Sequence, residues 1–215
     1  MIVVDFLILL KSIINYTKKD IDRGETPQKI YTLCSIIRET FCLSYSIRKT
    51  NNLYLYFFDD HCAIKLIGSE LRFLGSDERS QALLLNKAID KFRERKPDRW
   101  MHSTPGIFVN YFKSYEFMLK DIFESQQASL IFIEYSNNTN KRPKNSSLKT
   151  ILIESDYPNL FFLVPIFNIT EENPGFIGEL NSIIHPLTFL AFPNLHKPQD
   201  KILYINFYLD SLELN

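Results

Sequence analysis

A chain of 215 residues has the length of one domain or at most two, and its 45% hydrophobic content is ample for a continuous core, so residues 1–215 read as a single domain. Basic and acidic residues balance at 25 each, which excludes a global field for nucleic acid and leaves any grip on RNA to a local patch. The three cysteines, Cys34, Cys42 and Cys62, are odd in number and lack metal-ligand spacing, as expected of a reduced, cytoplasmic chain.

Met1 to Leu10 is apolar, but Asp5 and Lys11 interrupt it and it is too short to span a bilayer, so it reads as a first buried strand around Val3 to Leu10. A polar loop follows, then Thr26-Pro27, a cap before a proline at the first helical position. Ile30, Leu33, Cys34, Ile37 and Phe41 recur at helical spacing as one apolar stripe. Leu53 to Phe58 and Cys62 to Ile67 read as an antiparallel hairpin closed by Asp59-Asp60-His61. Ser76 is the expected cap of the next helix, with Asp77 and Glu78 in its first turn. Its Leu84, Leu85, Ala88, Ile89 and Phe92 face inward, and its outer side is basic.

Trp100 reads as a core anchor, and Tyr115 to Phe123 as an amphipathic helix. Leu130 to Glu134, Thr150 to Ile153 and Leu160 to Val164 read as strands, with a polar surface loop from Ser136 to Lys149. A helix from about Glu171 to Ile184, broken near Pro174-Gly175, leads to a strand at Leu187 to Ala191 and a last helix from Gln199 to Leu212. This alternation predicts an α/β sheet with helices on both faces. His61, His102, His185 and His196 show no ligand spacing, so no metal is expected.

Two stretches carry more specific information. Ile64-Lys65-Leu66-Ile67-Gly68-Ser69-Glu70-Leu71 is a strand running into a Gly-Ser turn, followed by Gly75-Ser76-Asp77-Glu78-Arg79; His102-Ser103-Thr104-Pro105-Gly106-Ile107 is a rigid turn before another strand. With Cys42-Leu43-Ser44-Tyr45-Ser46-Ile47-Arg48 they resemble, in the same order, the archaeal TrmY family of tRNA pseudouridine N1-methyltransferases. The resemblance implies a SPOUT-type sheet flanked by helices with a C-terminal trefoil knot, S-adenosylmethionine as cofactor, and tRNA as partner. It also implies methylation of a T-loop pseudouridine at N1, a homodimer and a cytoplasmic location.

Carried over residue by residue, the resemblance places Lys29, Arg48 and Arg79 in the catalytic and phosphate-holding set, and Ser103, Thr104 and Gly106 against RNA. For Arg79 an ion pair with Asp77, Glu78 or Glu70 is the competing reading. The cofactor side falls on Ile133, Val164, Asn168, Thr170, Pro193 and Ile202. There the chain departs from the family: Val164 to Thr170 has none of the glycines, the Asp or the His of the family's loop, and Gln28-Lys29-Ile30-Tyr31 replaces a Gly-Arg-x-Asp segment. A second reading therefore stands beside the first: a catalytically inactive relative that binds RNA or serves as a partner subunit.

Overall fold

The computed structural model describes residues 3–123, 128–133, 148–154, 159–184, 187–192 and 194–213. Along the chain run β1 (Val3–Leu10), α1 (Lys18–Asp22), α2 (Gln28–Phe41), β2 (Asn51–Phe57), β3 (Cys62–Ile67), α3 (Glu78–Arg95), β4 (Met101–Thr104) and β5 (Ile107–Tyr111). There follow α4 (Tyr115–Phe123), β6 (Ala128–Ile133), α5 (Leu148–Glu154), β7 (Asn159–Pro165), α6 (Ile169–Glu172), α7 (Phe176–Ile183), β8 (Leu187–Leu190) and α8 (Pro198–Glu213).

One mixed sheet takes all the described strands in the order β4-β5-β3-β2-β1-β7-β6-β8. Strands β2, β1, β7, β6 and β8 are mutually parallel, while β3, β5 and β4 pair antiparallel. β1 is central, and its unbroken run of apolar residues suits a strand covered on both faces. Because successive side chains alternate, Phe6, Ile8 and Leu10 enter a core with α2, α3 and α8, whereas Leu7 and Leu9 enter a second core with α4 and α7. Phe6 stacks on its register partner Phe162 of β7 at 5.5 Å, and each such fully buried ring contributes about 1.5–3 kcal/mol.

The helical stripe of α2 and the inward set of α3 are buried as expected, and the Asp59 to His61 turn joins an antiparallel pair. Four local expectations change. Thr150 to Ile153 is helical, within α5: Leu148 and Ile151 are three apart and both enter the core, a helical spacing that outweighs the β-branched composition. Pro27, not Thr26, occupies the N-cap position of α2, with no side-chain cap. Asp77, not Ser76, caps α3, its Oδ1 accepting from Ser80 N at 2.8 Å. The polar loop after β1 contains α1, closed by a reciprocal capping box between Thr17 and Asp20. Glu134 and positions 136–147 of the loop expected over 136–149 lie outside the described residues, and its last two, Leu148 and Lys149, begin α5.

Trp100 is half-buried rather than central: its Nε1 donates to Asp121 at 2.8 Å, and the Lys65 ammonium sits 4.5 Å above its ring. Among the described residues no helix is long and apolar enough to cross a membrane.

Among the described residues, the one fully buried carboxylate is Asp5, in the middle of the sheet on β1. Its Oδ1 accepts from Asn52 Nδ2 at 2.7 Å, and its Oδ2 has no partner among the described residues. Burial pushes the carboxyl from 3.8 up to about 6, against smaller opposing pulls from Asn52 and Lys65. Folding therefore favours the protonated form, so this contribution to stability is fully present below pH 3.8 and is lost as pH rises through about 6. Asp5→Asn should stabilise the protein by about 1–3 kcal/mol above that window, with little gain below it, as read from urea midpoints across pH.

Candidate functional site

Three backbone segments meet where β1 begins. The register Val4 to Asn51 and Asn52 to Ile67 brings the start of β2 and the end of β3 to that end of the sheet, and the β4–β5 turn lies alongside. Gly68 N donates to Asn51 O at 3.0 Å and Ile67 N to Gly106 O at 2.9 Å. A Cβ on Gly68 would collide with the carbonyl oxygens of Arg48 and Asn51; one on Gly106 would stand 2.5 Å from Leu71 N. Gly106 also has φ of +78°, a left-handed conformation that other residues adopt at a cost. The two glycines thus clamp the 67–71 turn between its neighbours.

The clamp leaves two adjoining concavities. One, of about 480 Å³, is lined by Ser103, Thr104 and Gly106 with Glu70, Arg72 and His102. The other, of about 410 Å³, lies under the 42–49 loop and takes Lys49 and again Arg72. Thr104 Oγ1 is buried in this region with no hydrogen-bond partner among the described residues. The turn residues named from sequence are therefore together. Arg72 bridges both hollows and was missed, although an arginine four residues after Gly68 was there to be read.

The cations named from sequence do not converge. Arg48 is half-buried and forms a bidentate pair with Asp210 of α8, both nitrogen–oxygen distances being 2.6 Å. Arg79 is exposed and pairs with Asp22 at 2.6 Å, not with Asp77, Glu78 or Glu70. Lys29 is exposed on the first turn of α2, and the rise of that helix sets it roughly 18 Å from the Arg48 loop.

The residues assigned to the cofactor lie at the other end of the sheet. Ile133 and Val164 end β6 and β7, and with Leu190 of β8 and Ile202 of α8 they are buried in one cluster. The chain leaves β7 for α6 and α7 on one face, while α5, which feeds β7 from β6, packs on the other. Such a reversal at the carboxyl ends of parallel strands opens a crevice where ligands bind. Asn168 and Thr170 sit just beyond β7, the Thr170 hydroxyl donating to Asn168 Oδ1 at 3.0 Å. Phe167 packs edge-on against Phe58, and Phe192 edge-on against Tyr204. Gln199 Oε1, in the first turn of α8, is buried without a partner among the described residues. Pro193 lies outside the described residues.

Burial pushes the Cys34 thiol up to about 12 and raises Cys42 and Cys62 as well, so none is a thiolate nucleophile near neutral pH. Among the described residues no group of three His, Cys, Asp or Glu is placed to hold a metal.

A family model described as "Putative SAM-dependent RNA methyltransferase" matches residues 6–139, more than half of the chain. The chain belongs to this family. Two proteins named tRNA (pseudouridine(54)-N(1))-methyltransferase illustrate the relationship. That of Methanocaldococcus jannaschii is 26% identical over 175 residues, covering 77% of this chain and 79% of the relative. That of Methanococcus maripaludis strain C6 is 31% identical over 153 residues, covering 70% and 71%.

For this methyltransferase-family chain the matched region contains both glycine clamps and both concavities, and it stops short of Val164. At the carboxyl ends of the strands the described residues supply a closed apolar cluster, with Ile133, Val164 and Ile202 fully buried beside Phe192, and α8 carries one acceptor, Gln199 Oε1, without a partner among the described residues. Positions 164–170 provide no glycine for close backbone approach. Gly106→Ala should lower the urea midpoint by the equivalent of at least about 1–2 kcal/mol, because it adds a left-handed penalty to a backbone collision.

Proposed function

We propose that this protein methylates N1 of a T-loop pseudouridine in tRNA with S-adenosylmethionine as donor. The observation that carries the reading is the family match over residues 6–139, a span that contains the clamped groove gathering Ser103, Thr104 and Gly106 with Lys49 and Arg72. The groove's hydroxyls and cations orient the RNA; Arg48 and Arg79 would meet phosphate only by exchanging their partners Asp210 and Asp22, and Lys29 would do so from the far end of α2. Ile133, Val164, Asn168, Thr170, Pro193 and Ile202 hold the donor at the strand ends, with Gln199 accepting from its amine. When bound, S-adenosylmethionine would supply the methyl group and leave as the neutral thioether S-adenosylhomocysteine, while the N1 proton would pass to solvent water. Positioning provides much of the acceleration.

The fold we propose is a single SPOUT-type domain, cytoplasmic, whose C-terminal segment is knotted. The order β7-β6-β8, with α8 returning to pack on α2, is compatible with that threading. The groove and the donor end are separated by the length of β1, roughly 25 Å. α8 spans this distance, with its first turn at the donor end and Asp210 at the groove end. Its exposed Leu203, Tyr204 and Phe207 form an apolar strip near its middle. A homodimer built on an antiparallel, two-fold pairing of this strip would set the groove of one copy beside the donor end of the other. Phe207→Asp should yield monomers by light scattering and lose methylation together with dimerisation.

A second reading, an inactive relative that binds RNA or partners an active subunit, is favoured by the mutual bond of Asn168 and Thr170 and the glycine-free loop. Mass spectrometry of nucleosides from pseudouridine-containing tRNA, incubated with the purified chain and S-adenosylmethionine, separates the two. N1-methylpseudouridine is the expected product; its absence, together with no calorimetric heat on titrating the donor at millimolar concentration, would leave the inactive reading.

A further inference from the structure

Two exposed aromatic rings, Tyr45 lining one hollow and Phe73 next in sequence to Arg72, make no ring contact among the described residues. Tyr45 stands at the tip of the 42–47 turn with relative exposure of 102%, and Phe73 follows Arg72 with 68%. Neither position is loose. The Tyr45 turn is closed by a bridge between Cys42 and Ile47 and by Leu43 N donating to Ser46 O at 2.9 Å. Phe73 is flanked by the buried Leu71 and by Leu74, which packs against the core. Exposed aromatics on a pinned backbone lose little conformational freedom when something stacks on them.

The hollow beneath Tyr45 carries charge of one sign, although Glu70 borders the adjoining hollow that shares Arg72. The hollow under Tyr45 contains Lys49 and Arg72 and no carboxylate, and neither cation forms a salt bridge among the described residues. Cations that track a backbone, interleaved with open rings, are the arrangement that binds unpaired nucleotides: phosphates meet the charges and bases cover the rings. A perfect RNA duplex offers phosphates but no free base face.

We propose that Tyr45 and Phe73 are a stacking platform for unpaired bases of the RNA substrate, with Lys49 and Arg72 holding the phosphates between them. This deepens the proposed function and rests on its RNA reading, but it concerns binding alone. It names the substrate feature recognised here: an open loop next to the methylated nucleotide, not a helical stem.

The test uses the full chain, no methyl donor, and two fluorescein-labelled RNAs, a hairpin with an open loop and the same stem closed as a perfect duplex. Fluorescence anisotropy should show Tyr45→Ala and Phe73→Ala each weakening hairpin binding by about 5- to 150-fold, with duplex binding unchanged. Tyr45→Trp should retain affinity, and Phe117→Ala, an exposed ring on α4, should change nothing. Lys49→Ala and Arg72→Ala should each reduce the slope of log affinity against log salt by about 0.7. Hairpin binding equal to wild type in both alanine variants, an equal loss for hairpin and duplex, or no hairpin binding by the wild type would overturn the proposal. If the variants lose the hairpin while the wild type makes no N1-methylpseudouridine, the platform stands and the enzymatic reading fails. Full methylation with undiminished variant affinity gives the reverse.

Discussion

The carbonyl oxygens of Arg48 and Asn51 lie so close to Gly68 that no other residue fits there, and the candidate groove follows from this contact. Gly68 N is bound to Asn51 O and, more weakly, to Asn52 Oδ1 at 3.3 Å, while the other end of Asn52 donates to buried Asp5. A chain of hydrogen bonds therefore runs from the centre of the sheet to the turn that carries the groove. Gly106 repeats the device from the opposite side. Backbone pressed on backbone, not a network of long side chains, sets the shape of the hollows, so their walls are rigid and their chemistry is left to the residues at the rims.

The second organising element is α8. Asn206, buried near its middle, donates to Glu39 O at 2.7 Å and accepts from Asn51 Nδ2 at 3.0 Å, and Asp210 takes both outer nitrogens of Arg48. These contacts fasten α8 to the last turn of α2, to the loop before β2 and to the first residue of β2, residues more than 150 positions apart in sequence. One helix thus reaches from the carboxyl ends of the parallel strands to the groove end of the sheet. Any tilt of α8 has to move Arg48 or break a charge-assisted pair.

Much of the sheet was legible because its strands are continuous apolar runs and its longer helices keep a helical apolar spacing, as β1, β7, α2 and α3 do. α1 was not, since five residues give too little periodicity, although Thr17 and Asp20 carried a readable capping signal. α5 was misassigned because Thr150, Ile151 and Ile153 favour strands locally, whereas burial of Leu148 and Ile151 on one side settled the matter. The turn residues Ser103, Thr104 and Gly106 could be named together because they are adjacent in sequence. The partners of Arg48 and Arg79 could not, because Asp210 and Asp22 approach only through tertiary packing and leave no mark in local pattern.

The two rims of the sheet are short. β4 has four residues and a register shift between His102 and Thr104, and β8 has four residues as well. Eight strands consequently present few free amide and carbonyl groups, and the kink on one flank interrupts even those. At both borders of the described sheet, ribbon-like growth in which one copy adds its backbone to the next is disfavoured.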